Sequence, residues 1–115
     1  MKRPDLYALI AYDAFKNEWM WLSTPVSKPE AIELKKDRCH SYLVKIMGFD
    51  SAFMTPSGMD PAAVKWWATV GFDTGRKSWQ FGTKPYGLEY FVKQIKESQS
   101  NYDIVQAFVV DEKDD

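Results

Sequence analysis

Residues 12–25 read YDAFKNEWMWLSTP, and residues 72–85 read FDTGRKSWQFGTKP. Aligned without a gap, both stretches follow one pattern: an aromatic residue, Asp, a basic residue three places on, Trp, a second aromatic residue, Ser or Thr, and Pro. Identical residues recur at the same spacing of sixty outside the two stretches, at Ala8 and Ala68, Lys36 and Lys96, and Tyr42 and Tyr102. Recurrence at a fixed spacing is typical of internal repeats, so the sequence predicts a duplicated chain.

Each copy begins as a predicted β-hairpin. An apolar run at 6–12 and a second one at 19–23 flank polar turn residues, as in a hairpin. Asp13 and Asp73 stand where a turn begins, and Asp can accept hydrogen bonds from the backbone that follows it. Alternate strand residues share a face. We therefore expect the aromatic pairs of the second strands to point into the core: Trp19 with Trp21, and Trp79 with Phe81.

A helix is predicted after each hairpin. Ser27 followed by Glu30 is a helix-start signal, and the first helix is expected to run to about Cys39. The second helix has an apolar stripe at helical spacing. The solvent-exposed face of this helix carries a Glu89–Lys93 charge pair. The stripe comprises Leu88, Phe91, Val92 and Ile95.

The predicted fold class is α+β, with a ββαβ unit duplicated around a pseudo-two-fold axis. The sheet is expected to be antiparallel or mixed, because a helix that joins the second strand to the third makes a parallel pair plausible. The predicted organisation is a single domain over 1–115, with units at about 5–49 and 65–110, a linker at 50–64 and an acidic tail at 111–115.

Composition narrows the function classes. The formal net charge of −1 offers no basic excess for non-specific nucleic-acid binding. Cys39 is a lone cysteine, which excludes an internal disulfide framework. No signal peptide and no apolar stretch of membrane-spanning length are recognised, so we expect a cytoplasmic protein.

No pattern of catalytic residues is found. Cys39 and His40 are neighbours at a predicted helix end, where adjacent side chains do not face each other, and one His with one Cys cannot build a typical zinc site. The run at 73–78, DTGRKS, lacks the glycine spacing of a phosphate loop and precedes a strand. The expectation is a non-enzyme without cofactor or metal.

Three function hypotheses remain open. The first is a protein-binding module of the inhibitor, immunity or adaptor type. One form of this hypothesis is that a phage or mobile element encodes the module. The second is a small-molecule domain with an aromatic cleft between the repeats, and the third is single-stranded nucleic-acid binding, which the charge makes the weakest. Candidate contact residues are apolar positions that differ between the copies or lie in the linker, one of two adjacent tryptophans, and basic residues at the turns: Met20, Leu22, Phe53, Met54, Met59, Trp67, Lys16, Arg76 and Lys77.

Overall fold

One sheet and two helices account for the part of the chain that the computed structural model describes, residues 5–47 and 66–110. The α+β class is therefore confirmed. Along the chain the elements are β1 (Leu6–Asp13), β2 (Glu18–Trp21), α1 (Lys28–Lys35), β3 (Tyr42–Met47), β4 (Trp66–Asp73), β5 (Ser78–Phe81), α2 (Glu89–Lys96) and β6 (Tyr102–Val109). The order strand, strand, helix, strand occurs once before the linker and once after it.

The six strands lie in the order β2-β1-β3-β6-β4-β5, and each described pairing is antiparallel. Of the two predicted sheet types, the antiparallel one is therefore correct and the mixed one is not. The helix α1 does join two strands that run the same way, β2 and β3. They form no parallel pair because β1 lies between them and is hydrogen-bonded to both.

The spacing of sixty between the two halves does not hold throughout. Tyr7 bridges Val26, and Trp67 bridges Tyr86, each sixty positions later. The helices, however, begin sixty-one positions apart, at Lys28 and Glu89. One extra residue therefore precedes α2.

The last strands keep this shifted spacing. Ile10 lies opposite Tyr42, whereas Val70 lies opposite Asp103. The expected correspondence of Tyr42 with Tyr102 is therefore wrong, and so is that of Lys36 with Lys96. In the centre of the sheet Ile46 lies opposite Ala107, sixty-one positions later.

The sheet is curled, and its concave face holds the larger core. This core consists of alternate residues from β1, β3, β4 and β6: Leu6, Ala8, Ile10, Val44, Ile46, Trp66, Ala68, Val70, Val105 and Ala107. The curl brings the two edge strands together, since the rings of Trp21 and Phe81 stack at 4.0 Å between centroids. A second core lies under α1, around Leu9, Ala31 and Leu43.

The aromatic pairs of the edge strands are placed only partly as predicted. Trp19, Trp21, Trp79 and Phe81 point towards the concave core and pack against it, but each is half-buried rather than buried. Their strands are four residues long and form the edges of the sheet, so these rings are covered less completely than the residues of the central strands.

The helix α1 starts as predicted and ends early. The Ser27 hydroxyl accepts a hydrogen bond from the Glu30 backbone N–H at 3.4 Å. The helix ends at Lys35, not near Cys39, because the following N–H groups bond to carbonyls three residues back and the chain then reverses at His40, whose φ is 62°. These tight turns lead directly into β3.

The predicted apolar stripe of α2 is wrong in half of its members. Val92 is buried, whereas Leu88 and Phe91 are exposed. Leu88 lies before the helix with an extended backbone, and the Phe91 ring stacks on Tyr86 at 5.6 Å rather than on the sheet. The predicted pair of Glu89 and Lys93 is present at 2.6 Å.

Candidate functional site

The turn between β1 and β2 is fixed by its own side chains. One Asp13 carboxylate oxygen accepts hydrogen bonds from the backbone N–H groups of Phe15 at 2.9 Å and Lys16 at 3.2 Å. Asn17 adopts a left-handed backbone with φ of 59°, and its side-chain oxygen accepts a bond from the Tyr12 hydroxyl. The predicted role of Asp13 in the turn is confirmed.

Phe15 lies at the tip of this turn with its side chain wholly in solvent, at a relative exposure of 102%. The turn between β4 and β5 is built in the same way, since Asp73 accepts bonds from the N–H groups of Gly75 and Arg76 at 2.9 and 3.2 Å. The second turn thus carries a glycine where the first carries phenylalanine. Sequence reasoning passed over Phe15 because it lies within residues 13–17, a stretch interpreted as a polar turn.

Met20 and Leu22, the apolar candidate residues at which the two copies differ, have different surroundings. Met20 is exposed. Leu22 packs against the core under α1. Its counterpart Gly82 leaves no room for a side chain, because a β-carbon there would meet the side chains of Tyr102 and Gln99.

A second group of exposed apolar side chains lies at the start of α2. Sequence reasoning missed it because Leu88 and Phe91 fit a helical apolar stripe and were expected in the core. Leu88 and Tyr90 are each more than 60% exposed. The Phe91 ring contacts both Tyr86 and Tyr90, each at 5.6 Å between ring centroids. The sequence does contain a signal, because Leu88 and Tyr90 stand at the helix start in the positions that Ser27 and Pro29 hold in the first copy.

A charged contact joins this group to the first hairpin. The Lys84 ammonium lies 2.7 Å from a Glu18 carboxylate oxygen and 5.4 Å from the centroid of the Tyr86 ring. The hydrogen bond from Lys84 to Glu18, and then the negative charge of Glu18, raise the pKa of Lys84. The indole N–H of Trp21 also donates to the Thr83 carbonyl at 3.0 Å.

Strand directions show which residues share an end of the sheet. The strand β4 runs opposite to β6, β6 opposite to β3, and β3 opposite to β1, so β1 and β4 run in opposite directions. The two hairpin turns therefore lie at opposite ends. The β1–β2 turn shares its end with the start of β3 and, through the Trp67–Tyr86 bridge, with the start of α2.

Most of the large exposed apolar side chains belong to this one end, which we call the apolar end. Its members are Tyr12, Phe15, Met20, Tyr42, Leu88, Tyr90 and Phe91. The corresponding residues of the opposite end, which we call the polar end, are Phe72, Gly75, Gln80, Asp103, Ser27, Pro29 and Glu30. Phe72 alone among these is a large apolar side chain.

The predicted basic residues are not brought together. Lys16 is exposed at the apolar end, whereas Arg76 and Lys77 are exposed at the polar end. Arg76 also lies 3.8 Å from the carboxylate of Asp73 in its own turn. No continuous basic groove joins these three side chains.

The other candidates are placed as follows. Trp67 is half-buried on the face opposite Trp66, which belongs to the concave core. The linker residues Phe53, Met54 and Met59 lie outside the described residues. The aromatic rings that meet between the halves, Trp21 and Phe81, are stacked on each other, so they do not line an open cleft.

Within residues 5–47 and 66–110, no three His, Cys, Asp or Glu side chains are grouped as they would be around a metal ion. The helices of these residues are too short and too polar to cross a bilayer. Comparison of the chain with protein-family models, with curated proteins and with solved structures finds no match.

Proposed function

We propose that this chain is a small protein-binding module and that the apolar end is its interaction surface. The observation that carries the proposal is the difference between two ends built on the same plan. Phe15, Leu88 and Tyr90 are exposed at one end, and Gly75, Ser27 and Pro29 occupy their positions at the other. A requirement of the fold alone would act on both ends, so the excess of apolar surface at one end indicates binding.

The size of this surface fits a protein partner. Five aromatic side chains at the apolar end are between 46% and 102% exposed, which at about 200 Å² each amounts to roughly 600 Å². That is at the top of the range for the largest apolar patch on a monomer, about 300–600 Å². It approaches the roughly 800 Å² that each partner contributes to a standard interface.

The two alternative functions have less support. A small-molecule site between the halves would need open aromatic walls, yet Trp21 and Phe81 fill that place with each other's rings. Binding of single strands would need cations along one groove, and Lys16 lies at the opposite end from Arg76 and Lys77.

An internal duplication is proposed as the origin of the similar arrangement of the two halves. The proposal is supported by hydrogen bonds that occur at equivalent positions in both halves. The Leu9 N–H donates to Ser23 at 3.1 Å and the Thr69 N–H to Thr83 at 3.2 Å. A fused pair of ββαβ units would place equivalent residues opposite each other on the axis, as Ile46 and Ala107 are.

Exchanging the two turn sequences, 14–17 and 74–77, tests the duplication. Equivalent turns should be interchangeable, so we expect the exchanged protein to keep its circular dichroism spectrum and its cooperative thermal transition. Loss of folding in the exchanged protein would count against equivalence of the halves.

We place the protein in the cytoplasm as part of the proposal. The support is that its one cysteine, Cys39, is free and exposed, which suits a reducing compartment. Fractionation of source cells with an antibody to the chain would test this, and recovery outside the cytoplasmic fraction would contradict it.

Affinity capture from a lysate of the source cells tests the binding function. The wild-type chain is expected to retain a stoichiometric protein, and the variants Leu88→Ser and Tyr90→Ser to lose most of it. Phe72→Ser is the matched control, since Phe72 is an exposed apolar side chain at the polar end. Capture of nothing by the wild type, or equal loss with the control, would refute the proposal.

A further inference from the structure

We propose that Phe15 is the anchor of the interaction and enters an apolar pocket of a folded partner protein, whose rim carries acidic groups that face Lys16. This inference rests on the proposed protein-binding function and gives the chemistry of the partner. It follows from three properties of the β1–β2 turn: the exposure of Phe15, the rigidity of its backbone and the charge beside it.

The exposure of Phe15 indicates that the partner binds it in a pocket and not on a flat surface. The side chain projects from the tip of a hairpin and is fully accessible, at 102%. A flat surface would cover one face of such a ring, whereas a pocket covers both faces and the edge. Interface energy is concentrated in aromatic side chains that fill pockets in this way.

The backbone at Phe15 is already held in one conformation. The Phe15 N–H is bonded to Asp13 at 2.9 Å and the Lys16 N–H to the same oxygen at 3.2 Å, and the Tyr12 hydroxyl bonds to Asn17 across the turn. A rigid turn loses little conformational entropy on binding. An exposed aromatic ring on a fixed turn is therefore suited to act as an anchor.

The Lys16 ammonium, next to the anchor, makes no ion pair within the described residues. At the polar end, Arg76 pairs with Asp73 at 3.8 Å. Lys16 and Asp13 hold the same positions in the first turn as Arg76 and Asp73 hold in the second. In the described residues, however, no ion pair joins Lys16 to Asp13. The other ion pairs described at the apolar end, Glu18–Lys84 and Glu89–Lys93, are internal to the chain.

The partner is therefore expected to supply the negative charge. Complementary charge at the rim of an interface speeds association more than it slows dissociation. Phe15 and Lys16 should thus act on different rate constants, which allows their roles to be separated.

The experiment measures both rate constants by surface plasmon resonance, with the protein captured by the wild-type chain as the probe. Phe15→Ala is expected to raise the dissociation rate about 30-fold or more, as for an interface hot spot. Lys16→Glu is expected to lower the association rate about tenfold at low salt, with an effect that fades at high salt. Thermal transitions of all variants should match the wild type, because both side chains are in solvent.

The double variant Phe15→Gly/Gly75→Phe is the matched control. It keeps the composition and moves the phenylalanine to the equivalent turn at the polar end, beside Arg76. Binding should be lost as in Phe15→Ala. Retained binding in this variant would overturn the proposal.

Other outcomes distinguish the failure of the anchor from the failure of the protein-binding function. If Leu88→Ser and Tyr90→Ser weaken binding while Phe15→Ala and Lys16→Glu do not, the protein-binding function stands and the anchor does not. Phe15-dependent binding to phosphatidylserine vesicles without any captured protein would overturn both. A dimer in light scattering that Phe15→Ala abolishes would identify a second copy as the occupant, and would also overturn the proposed partner.

Discussion

At the scale of single residues, a few side chains explain why the two halves differ inside as well as outside. Thr69 bonds to Gln99 at 2.7 Å, and Gln99 donates to the Gly82 carbonyl at 2.9 Å. In the first half, Leu9 at the corresponding position belongs to the core under α1, and Leu22 packs against that core. The second half thus has a hydrogen-bonded network beside Tyr102 where the first half has the side chains of Leu9 and Leu22.

Gly82 is required by this network. A β-carbon at Gly82 would overlap the side chains of Thr69, Tyr102 and Gln99, whereas one at Gly87 would meet nothing within 4 Å. We expect Gly82→Ala to lower the free energy of unfolding by about 2–3 kcal/mol, the usual cost of overpacking. Gly87→Ala should change it by less than about 0.5 kcal/mol. Urea unfolding of both variants checks this, and equal midpoints would show that the network adapts.

At the scale of elements, the two edge strands are the parts whose pairing is incomplete. Each has a hydrogen-bonded neighbour on one side, and the curl of the sheet brings the other sides together through side chains. The contacts across this seam are the stack of Trp21 on Phe81, the indole bond to Thr83 and the Glu18–Lys84 pair. Edge strands covered in this way are less prone to pair with other chains.

The seam predicts a graded response at Trp21. Trp21→Ala removes both the ring stack and the indole hydrogen bond, and for a half-buried tryptophan we expect a loss of about 2–3 kcal/mol. Trp21→Phe keeps a ring and loses the hydrogen bond, so its cost should be about 1 kcal/mol. Denaturant unfolding gives both values. A Trp21→Ala protein as stable as the wild type would mean that the seam does not hold the edges.

The charged part of the seam predicts a dependence on pH. The folded-state pKa of Lys84 is raised by Glu18 above its ordinary value of 10.5. The contribution of Lys84 to stability is therefore complete below 10.5 and is lost as the pH rises through the raised value. We expect Lys84→Met to be less stable than the wild type at neutral pH and low salt, and equally stable above the raised pKa or at high salt. A difference that persists at alkaline pH would exclude the ion pair as its cause.

At the scale of the whole molecule, the spacing of apolar residues and the residue types at the turns were sufficient to predict the order of strands and helices. The strand alternation, Ser27 and the two Asp turns predicted the hairpins, the start of α1 and the order of strands and helices. The sheet order could not be predicted, because it depends on how β3 and β6 meet, and no local pattern encodes that contact. The one-residue shift before α2 could not be detected either, because the two copies were aligned without a gap.

The candidate site was predicted less well than the fold. Met20 and Lys16 were selected from the sequence and lie at the apolar end. Phe15, Leu88 and Tyr90 were not. Leu88 fits a helical apolar stripe and was expected in the core, Phe15 lies in a stretch interpreted as a polar turn, and Tyr90 fits no apolar pattern. Exposure is a property of the whole molecule, and the difference between its two ends became visible only once the strand directions were known.

Hydroxyl-radical footprinting of the captured complex decides whether the apolar end is the interaction surface, because it reports the solvent exposure of individual side chains. We expect Phe15, Met20, Tyr90 and Phe91 to be protected from oxidation when the partner is bound. The exposed Phe72 at the polar end should be oxidised equally in the free and bound protein. Protection of Phe72 with unchanged oxidation of Phe15 and Tyr90 would contradict the account.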